Sequence, residues 1–224
     1  MPKHIIIDFD STFVSVESLD EFIFFLSNDS SKKSILHQKV KDLTNAGMNG
    51  EIDFNTSLYQ RLELLDAKLD DVIEFIDILQ KNVTKSFESN IDFIKKNSSK
   101  IIIVSGGFCE FITPVVSRFN INEDQVFANR FKYSRLNKII GIDKTTPFFK
   151  SYTKTKLVQS LNLFGEIHVI GDGFTDYEIW SDGAASQFFA FIENIEREKV
   201  INISENIIRN IDDYIKIISL LKHK

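Results

Sequence analysis

The chain has 224 residues, 43% hydrophobic and 26% charged, and its 27 basic and 32 acidic residues give a net charge of −5. This is ordinary globular composition, which excludes collagen-like, coiled-coil and disordered proteins, and the mild acidity disfavours nucleic-acid or membrane-surface partners. The single cysteine, Cys109, cannot pair within the chain, no apolar run approaches the roughly 18–20 residues of a membrane span, and no signal peptide is recognisable. We therefore expect a cytoplasmic protein, either a monomer or a homodimer.

The first predicted element is a buried strand from His4 to Ile7, because a short apolar run that ends abruptly in Asp8 is typical of parallel sheets. From about residue 15 to 82 the apolar residues recur at helical spacing, and no convincing strand is present. Beyond residue 82, predicted strands and helices alternate. The predicted strands are 100–104, 125–128, 167–170, 188–191 and 200–203; the predicted helices are 87–94, 109–119, 155–161 and one from about 207; residues 131–142 form a hairpin.

This alternation predicts an α/β fold with a Rossmann-like parallel sheet and a small helical insertion after the first strand. The predicted division is a core of residues 1–14 and 82–224 and a helical cap of residues 15–81. Ligands of such sheets bind at the carboxyl ends of the strands, so the polar residues at these ends are the candidates for a site.

Two carboxylates, Asp8 and Asp10, follow the first strand. Strand alternation places them on the same side, where they either share a proton or bind a cation. A helix-capping residue and a surface residue in a turn are the plainer alternative.

At the second strand end, Ser105 meets Gly106 and Gly107, which we expect to open a helix. Backbone N–H groups there would form a phosphate cradle, whereas the alternative is a plain turn.

At the third strand end, Asp172 lies between two glycines and Asp176 follows them. Hard carboxylate oxygens around one point suit Mg²⁺. Before this strand, Lys154 and Lys156 stand at a helix start, where a lysine opposes the helix dipole and favours an anionic partner. Phosphoryl transfer through an aspartyl-phosphate requires the groups that these segments supply: a carboxylate nucleophile, a second acid, a hydroxyl, an ammonium group and a metal-binding carboxylate.

The segments DFDST, SGG, a lysine and GDGFTD, in this order, resemble the four motifs of the haloacid dehalogenase superfamily. Over nearly the whole chain the similarity is closer to the phosphoserine phosphatase family. The stretches that carry it are DST followed by VESLDE, then MNG, Phe54, Arg61-Leu62, SGGF and VFANR.

This resemblance implies a Mg²⁺-dependent phosphatase acting on a small phosphate, most closely phosphoserine. Asp8 would be the nucleophile and Asp10 the general acid and base. Asp8, Asp172 and the Asp10 carbonyl would be the metal ligands, and Asp176 would support the metal shell. Lys154, rather than the alternative Lys156, would offset the charge.

The resemblance also implies a set of substrate contacts. Ser105, the Gly106 amide and Thr175 would hold the phosphate end. Glu17 and Arg61 would bind the ammonium and carboxylate of the substrate, which suits a zwitterion. Met48 and Phe54 would form an apolar wall that excludes water.

The chain departs from the family pattern in two places. Residues 189–196 stand where a glycine-rich turn is usual, and a Pro-Gly before the helix leading to the second motif is missing. Neither departure removes a catalytic residue, but both leave open another small phosphorylated metabolite as substrate. A phosphomutase and a non-catalytic binding protein on the same fold are further alternatives; Asp10 disfavours the first, and the presence of every motif residue disfavours the second.

Overall fold

The computed structural model describes residues 2–27, 30–48 and 51–220. Six strands of the described chain form one parallel sheet in the order β3-β2-β1-β6-β7-β8, and β4 and β5 form a separate antiparallel pair. The strands are β1 His4–Ile7, β2 Ile101–Phe108, β3 Val126–Asn129, β4 Phe131–Tyr133, β5 Ile139–Ile142, β6 Ile167–Gly171, β7 Gln187–Phe191 and β8 Asn206–Ile208. This architecture confirms the predicted α/β fold.

Strand β1 lies in the middle of the sheet and is covered on both faces. Ile5 and Ile7 pack into one apolar cluster and Ile6 into the cluster on the other side, each about 1% exposed. Full burial of an isoleucine side chain contributes about 2 kcal/mol. The run of isoleucines therefore fixes the strand at the centre of the sheet, and its carboxyl end lies beside those of β2 and β6.

The described chain has twelve α-helices. They are α1 Ser18–Leu26, α2 Ser30–Met48, α3 Phe54–Leu62, α4 Leu69–Gln80, α5 Lys85–Ser89, α6 Ile91–Asn97, α7 Cys109–Ser117, α8 Pro147–Ser151, α9 Lys154–Ser160, α10 Phe174–Ser181, α11 Glu198–Ile203 and α12 Ile211–Leu220. Six of them, α1 to α6, lie between β1 and β2. Among the described residues, no helix has the length and apolar character needed to cross a membrane.

An aromatic cluster joins α1 and α4 to α7. Phe22 of α1 lies 5.1 Å from Phe111 of α7 and 5.2 Å from Phe75 of α4, measured between ring centroids, and Phe75 lies 5.3 Å from Phe111. Helices α1 and α4 thus belong to the same apolar core as α7 and the central strands of the sheet. The division into a core of residues 1–14 and 82–224 and a cap of residues 15–81 stays a prediction.

The predicted strand at residues 200–203 is wrong. Residues Glu198–Ile203 form α11, and the last strand of the sheet is β8, three residues further on. Both segments are rich in β-branched residues, and pairing with β7 from Phe189↔Asn206 to Phe191↔Ile208 decides which one is extended. The predicted C-terminal helix accordingly starts later, at Ile211.

The predicted helix start at the paired glycines is also wrong. Strand β2 continues through Gly106 and Gly107 to Phe108, with a register shift against β3, and α7 begins at Cys109. Helix α8 was not predicted from the sequence.

Candidate active site

The turn that follows β1, residues 9–13, comes directly after Asp8 and carries Asp10, and we call it the β1 turn. Its backbone closes with a hydrogen bond of 3.0 Å from the Val14 N–H to the Phe9 carbonyl. Ser11 has a φ of 54°, in the left-handed region, which costs a non-glycine residue roughly 1–2 kcal/mol. The turn therefore needs support from its surroundings to hold this shape.

Asp8 is held by the ammonium group of Lys154. Lys154 Nζ lies 2.8 Å from Asp8 Oδ1 and 2.8 Å from Asp176 Oδ1, and all three side chains are buried. Burial opposes the charged lysine, but Asp176 and Asp8 outweigh it and raise the pKa of Lys154 above its ordinary value. Lys156 is exposed, so the structure places Lys154 at the site.

Three buried carboxylates meet beside this lysine. Asp8, Asp172 and Asp176 each offer an oxygen within 4.8 Å of the others. Burial raises the pKa of Asp172, against the effect of Arg197. Buried like charges at this distance are costly unless cations offset them, and Lys154 and Arg197 offset part of this charge. The cluster offers the hard oxygen ligands that divalent metal ions such as Mg²⁺ take, so these residues fit the implied metal site.

Asp10 turns its carboxylate toward the start of α1. Its Oδ1 accepts a 2.8 Å hydrogen bond from the Ser18 N–H. Burial, the largest effect, raises the pKa of Asp10 to about 6. A carboxyl group with this pKa can both give and take a proton near neutral pH.

The extended end of β2 forms one wall of the cavity beside the β1 turn. Ser105 is 1% exposed, and its Oγ accepts a 3.0 Å bond from the Gly107 N–H. A Cβ on Gly107 would lie 2.9 Å from Asp10 Oδ2. The absent side chain is thus what lets β2 approach the β1 turn so closely.

The opposite wall holds a buried arginine. Arg61 on α3 is 4% exposed, its Nη1 lies 2.8 Å from Asp20 Oδ1, and its Nε has no acceptor among the described residues. Asp20 is held in turn by a 2.6 Å hydrogen bond from the Thr44 hydroxyl. Arg61 therefore keeps a free donor, Nε, in this buried wall.

Glu17 lies between this wall and the β1 turn. Its Oε1 accepts a 2.8 Å hydrogen bond from the Ser11 hydroxyl. Burial, followed by the nearby charges of Asp10 and Asp172, raises the pKa of Glu17 to about 8. A cation beside Glu17 would favour its charged form.

One cavity of about 240 Å³ brings together most of the site residues predicted from the sequence. The predicted residues that line it are Asp8, Asp10, Glu17, Met48, Arg61, Ser105, Gly106, Lys154, Asp172 and Thr175. Asp176 lies behind them, in contact with Lys154. The side chain of Phe54 lies outside the described part of the structure.

Three residues that contact the predicted site were missed by sequence reasoning. Asp20, three residues after Glu17 on the same helix, could have been found from this spacing. Arg197 contacts Asp172 Oδ2 through Nε at 2.7 Å and lies 3.5 Å from Glu17 Oε1. Asn194 contacts the β1 turn. These last two residues follow β7 at the carboxyl edge of the sheet, which is the only sequence signal they give.

Cys109 takes no part in this arrangement. It is 3% exposed, and burial raises the pKa of its thiol to about 11. The thiolate is the reactive form of cysteine, so burial argues against Cys109 as a nucleophile, in agreement with its lack of a histidine partner in the sequence.

Comparison with known proteins gives relatives along most of the chain, although no model of a protein family matches it. The phosphoserine phosphatase of Lactococcus lactis is 30% identical over 181 residues, which are 77% of this chain and 76% of that relative. The chloroplastic phosphoserine phosphatase of Arabidopsis thaliana is 29% identical over 196 residues, or 86% of this chain. The chain spans 64% of that longer relative.

The comparison of structures agrees with the comparison of sequences. The crystal structure of a phosphoserine phosphohydrolase-like protein from Francisella tularensis is 31% identical and has a TM-score of 0.85, covering 96% of this chain and 99% of that one. The four motifs, the cavity they line and these relatives lead to one assignment. The chain belongs to the phosphoserine phosphatase family of haloacid dehalogenase-like hydrolases.

Proposed function

We propose that this protein is a Mg²⁺-dependent phosphomonoester hydrolase that converts O-phospho-L-serine and water to L-serine and phosphate. The observation that carries the reaction is the buried Asp8 carboxylate, held by Lys154 at the wall of the cavity with Asp10 two residues away. The named relatives act on phosphoserine, and this supports the choice of substrate.

In the first step, an oxygen of Asp8 attacks the phosphorus atom and the bond from phosphorus to the serine oxygen breaks. Asp10, protonated, gives its proton to that oxygen, so that serine leaves as a neutral alcohol. Lys154 offsets negative charge on Asp8 and the phosphoryl group. Ser105 and the Gly106 amide hold the phosphoryl oxygens through hydrogen bonds.

In the second step, Asp10 takes a proton from a water molecule whose oxygen attacks the aspartyl-phosphate. The bond between phosphorus and Asp8 breaks, and phosphate leaves with Asp8 restored as a carboxylate. The pKa of about 6 for Asp10 suits both of its tasks.

Asp8 and Asp172 would hold the ion, with the Asp10 carbonyl as a further ligand, and Asp176 would keep Lys154 and the ion site aligned. Bound Mg²⁺ supplies a Lewis acid that neutralises charge on the phosphoryl oxygens. The cluster of carboxylates within 4.8 Å supports this assignment.

Serine recognition would fall to Arg61 and Glu17. Arg61 would donate from its free Nε to the substrate carboxylate, and Glu17 would accept from the substrate ammonium group. This arrangement favours an amino-acid phosphate over a plain alcohol phosphate, because the latter would leave the buried Arg61 Nε without an acceptor. Met48 and Phe54 would exclude water above them.

The test is phosphate release from a panel of phosphorylated metabolites in the presence of Mg²⁺, with Asp8→Asn as the inactive control. We expect turnover of phosphoserine above that of phosphocholine and sugar phosphates. Robust turnover of another compound without phosphoserine turnover would contradict the substrate, and activity in Asp8→Asn would contradict the mechanism.

We further propose a cytoplasmic location, which the one buried, unpaired cysteine supports. Whether the protein is a monomer or a homodimer stays a prediction that light scattering would decide.

A further inference from the structure

The segment that follows β7, residues 192–197, crosses the back of the β1 turn, and we call it the β7 strap. The Ile192 N–H donates a 3.0 Å bond to the Ile208 carbonyl, and Glu193 Oε1 accepts a 3.1 Å bond from the Ser86 N–H. At its far end, Arg197 binds Asp172. The β7 strap is thus fixed at both ends, with Asn194 between them.

The side-chain amide of Asn194 contacts three oxygens. Its Nδ2 lies 3.1 Å from the Ser11 carbonyl, 3.3 Å from the Thr12 carbonyl and 2.7 Å from Thr84 Oγ1. Two hydrogens serve these acceptors: one goes to Thr84, and the other is shared between the two consecutive carbonyls. The Thr84 hydroxyl uses its own hydrogen in a 2.6 Å bond to the Thr12 carbonyl.

These contacts fall on the strained part of the β1 turn. Ser11, at φ 54°, links Asp10 to Thr12, and such conformations persist only where the surroundings enforce them. The Thr12 hydroxyl donates a 3.0 Å bond to Asp172 Oδ1. The two peptides that Asn194 holds, the one after Ser11 and the one after Thr12, therefore fix the turn between Asp10 and the Thr12 contact with Asp172.

We propose that Asn194 is a positioning residue: through the carbonyls of Ser11 and Thr12 it holds the β1 turn in the shape that aligns Asp10 with Asp8. Asn194 is absent from the residues that line the cavity, so it acts through the backbone of the turn. The inference rests on the proposed function for its effect on rate, whereas its effect on the turn itself is independent of the reaction.

Substitution of Asn194 by Ala or Asp is the first test. Asn194→Asp keeps the shape of the side chain but replaces the two donated hydrogens by an oxygen that faces three acceptors. Because small displacements of reacting groups cost up to about 100-fold in rate, we expect kcat for phosphoserine to fall about 10–100-fold in both variants. We expect KM to stay within about 3-fold, because Asn194 is not at the cavity wall.

Glu193→Ala is the matched control. Glu193 anchors the β7 strap to α5 and makes no hydrogen bond to the β1 turn. Its loss should therefore lower the melting temperature and leave kcat within about 2-fold of the wild type. A kcat in Asn194→Ala equal to that of Glu193→Ala would overturn the proposal, because Asn194 would then be only a structural anchor.

Amide hydrogen exchange of the unliganded variants separates the two proposals. Loss of the Asn194 amide should speed exchange at Ser11 and Val14, whose N–H groups close the β1 turn, and leave Ile103 in β2 unchanged. Faster exchange with an inactive wild type would refute the phosphatase assignment and keep the positioning role. Unchanged exchange at Ser11 and Val14 in Asn194→Ala would overturn the positioning role whatever the activity.

Discussion

Gly171, the last residue of β6, is the position where one added methyl group should do the most damage. A Cβ at this position would lie 2.4 Å from Asp176 Cγ, 2.5 Å from its Oδ2 and 2.6 Å from its Cβ. The first atom of the Asp176 side chain is among them, so a rotation of the carboxylate alone does not relieve the clash. Gly171→Ala must push the start of α10 away from β6.

The expected cost has two parts. Overpacking of a tight interior site costs about 1–3 kcal/mol. Displacing Asp176 also weakens its 2.8 Å contact with Lys154 and the 3.1 Å bond from the Gly173 N–H, and a bond to a charged group is worth about 1.5–3 kcal/mol. We expect Gly171→Ala to lose about 2–4 kcal/mol, or about 5–15 °C in melting temperature, together with most of the phosphatase activity.

Thermal and urea unfolding of four proteins measures this cost: the wild type, Gly171→Ala, Asp176→Gly and the double variant. Asp176→Gly removes all three clashing atoms, so adding Gly171→Ala in that background should cost less than about 1 kcal/mol. Gly183→Ala is the control, since it has a positive φ but no atom within 4 Å of the added Cβ and should cost about 1 kcal/mol from backbone strain alone. Equal costs of Gly171→Ala in both backgrounds would refute the reasoning.

Three other outcomes follow from the same structure. Lys154→Met leaves Asp8 without its buried cation, so it should lose about 3–5 kcal/mol in urea unfolding and abolish phosphate release, whereas the exposed Lys156→Met should change neither. Burial raises the pKa of Glu17 from 4.5 to about 8, so its stabilising contribution is complete below pH 4.5 and is lost as the pH rises to about 8. Glu17→Gln should therefore be more stable than the wild type by more than about 1 kcal/mol at pH 8–9. A stability difference between the two proteins that does not grow with pH would contradict this. Tyr152 has a φ of 64° and lies at the rim of the cavity. Because glycine adopts this conformation without strain, Tyr152→Gly should raise the free energy of unfolding by about 1 kcal/mol in thermal unfolding. A loss of stability would show that packing of the tyrosine ring outweighs the strain.

The sequence predicts the centre of the fold well because local pattern and burial agree there. Strand β1 carries isoleucines on both of its faces, and a continuous apolar run of this kind is typical of a strand that is buried on both faces. The carboxyl ends of parallel strands share one edge, so the order of the motifs alone places Asp8, Ser105 and Asp172 together. Their catalytic and metal-binding roles remain predictions, whereas their common cavity is a structural fact.

The elements that the sequence does not predict depend on contacts between distant residues. Residues 198–203 and 206–208 have similar β-branched composition, and only pairing with β7 makes the second an extended strand. Asn194 lies 183 residues from Ser11 and Arg197 lies 25 residues from Asp172. No local spacing joins these pairs, so their contacts appear only when the sheet is assembled.

The aromatic cluster of Phe22, Phe75 and Phe111 restricts how the cavity opens to admit a substrate. Swinging α1 and α4 away from α7 would bring these rings into water at a cost of about 2–4 kcal/mol for each ring, which disfavours a hinge at that point. Helices α2 and α3 carry Met48 and Arg61 at the cavity wall and lie outside the cluster. A sliding of α2 and α3 over a fixed α1 would spare these rings, but it would break the Arg61–Asp20 ion pair and the Thr44–Asp20 hydrogen bond.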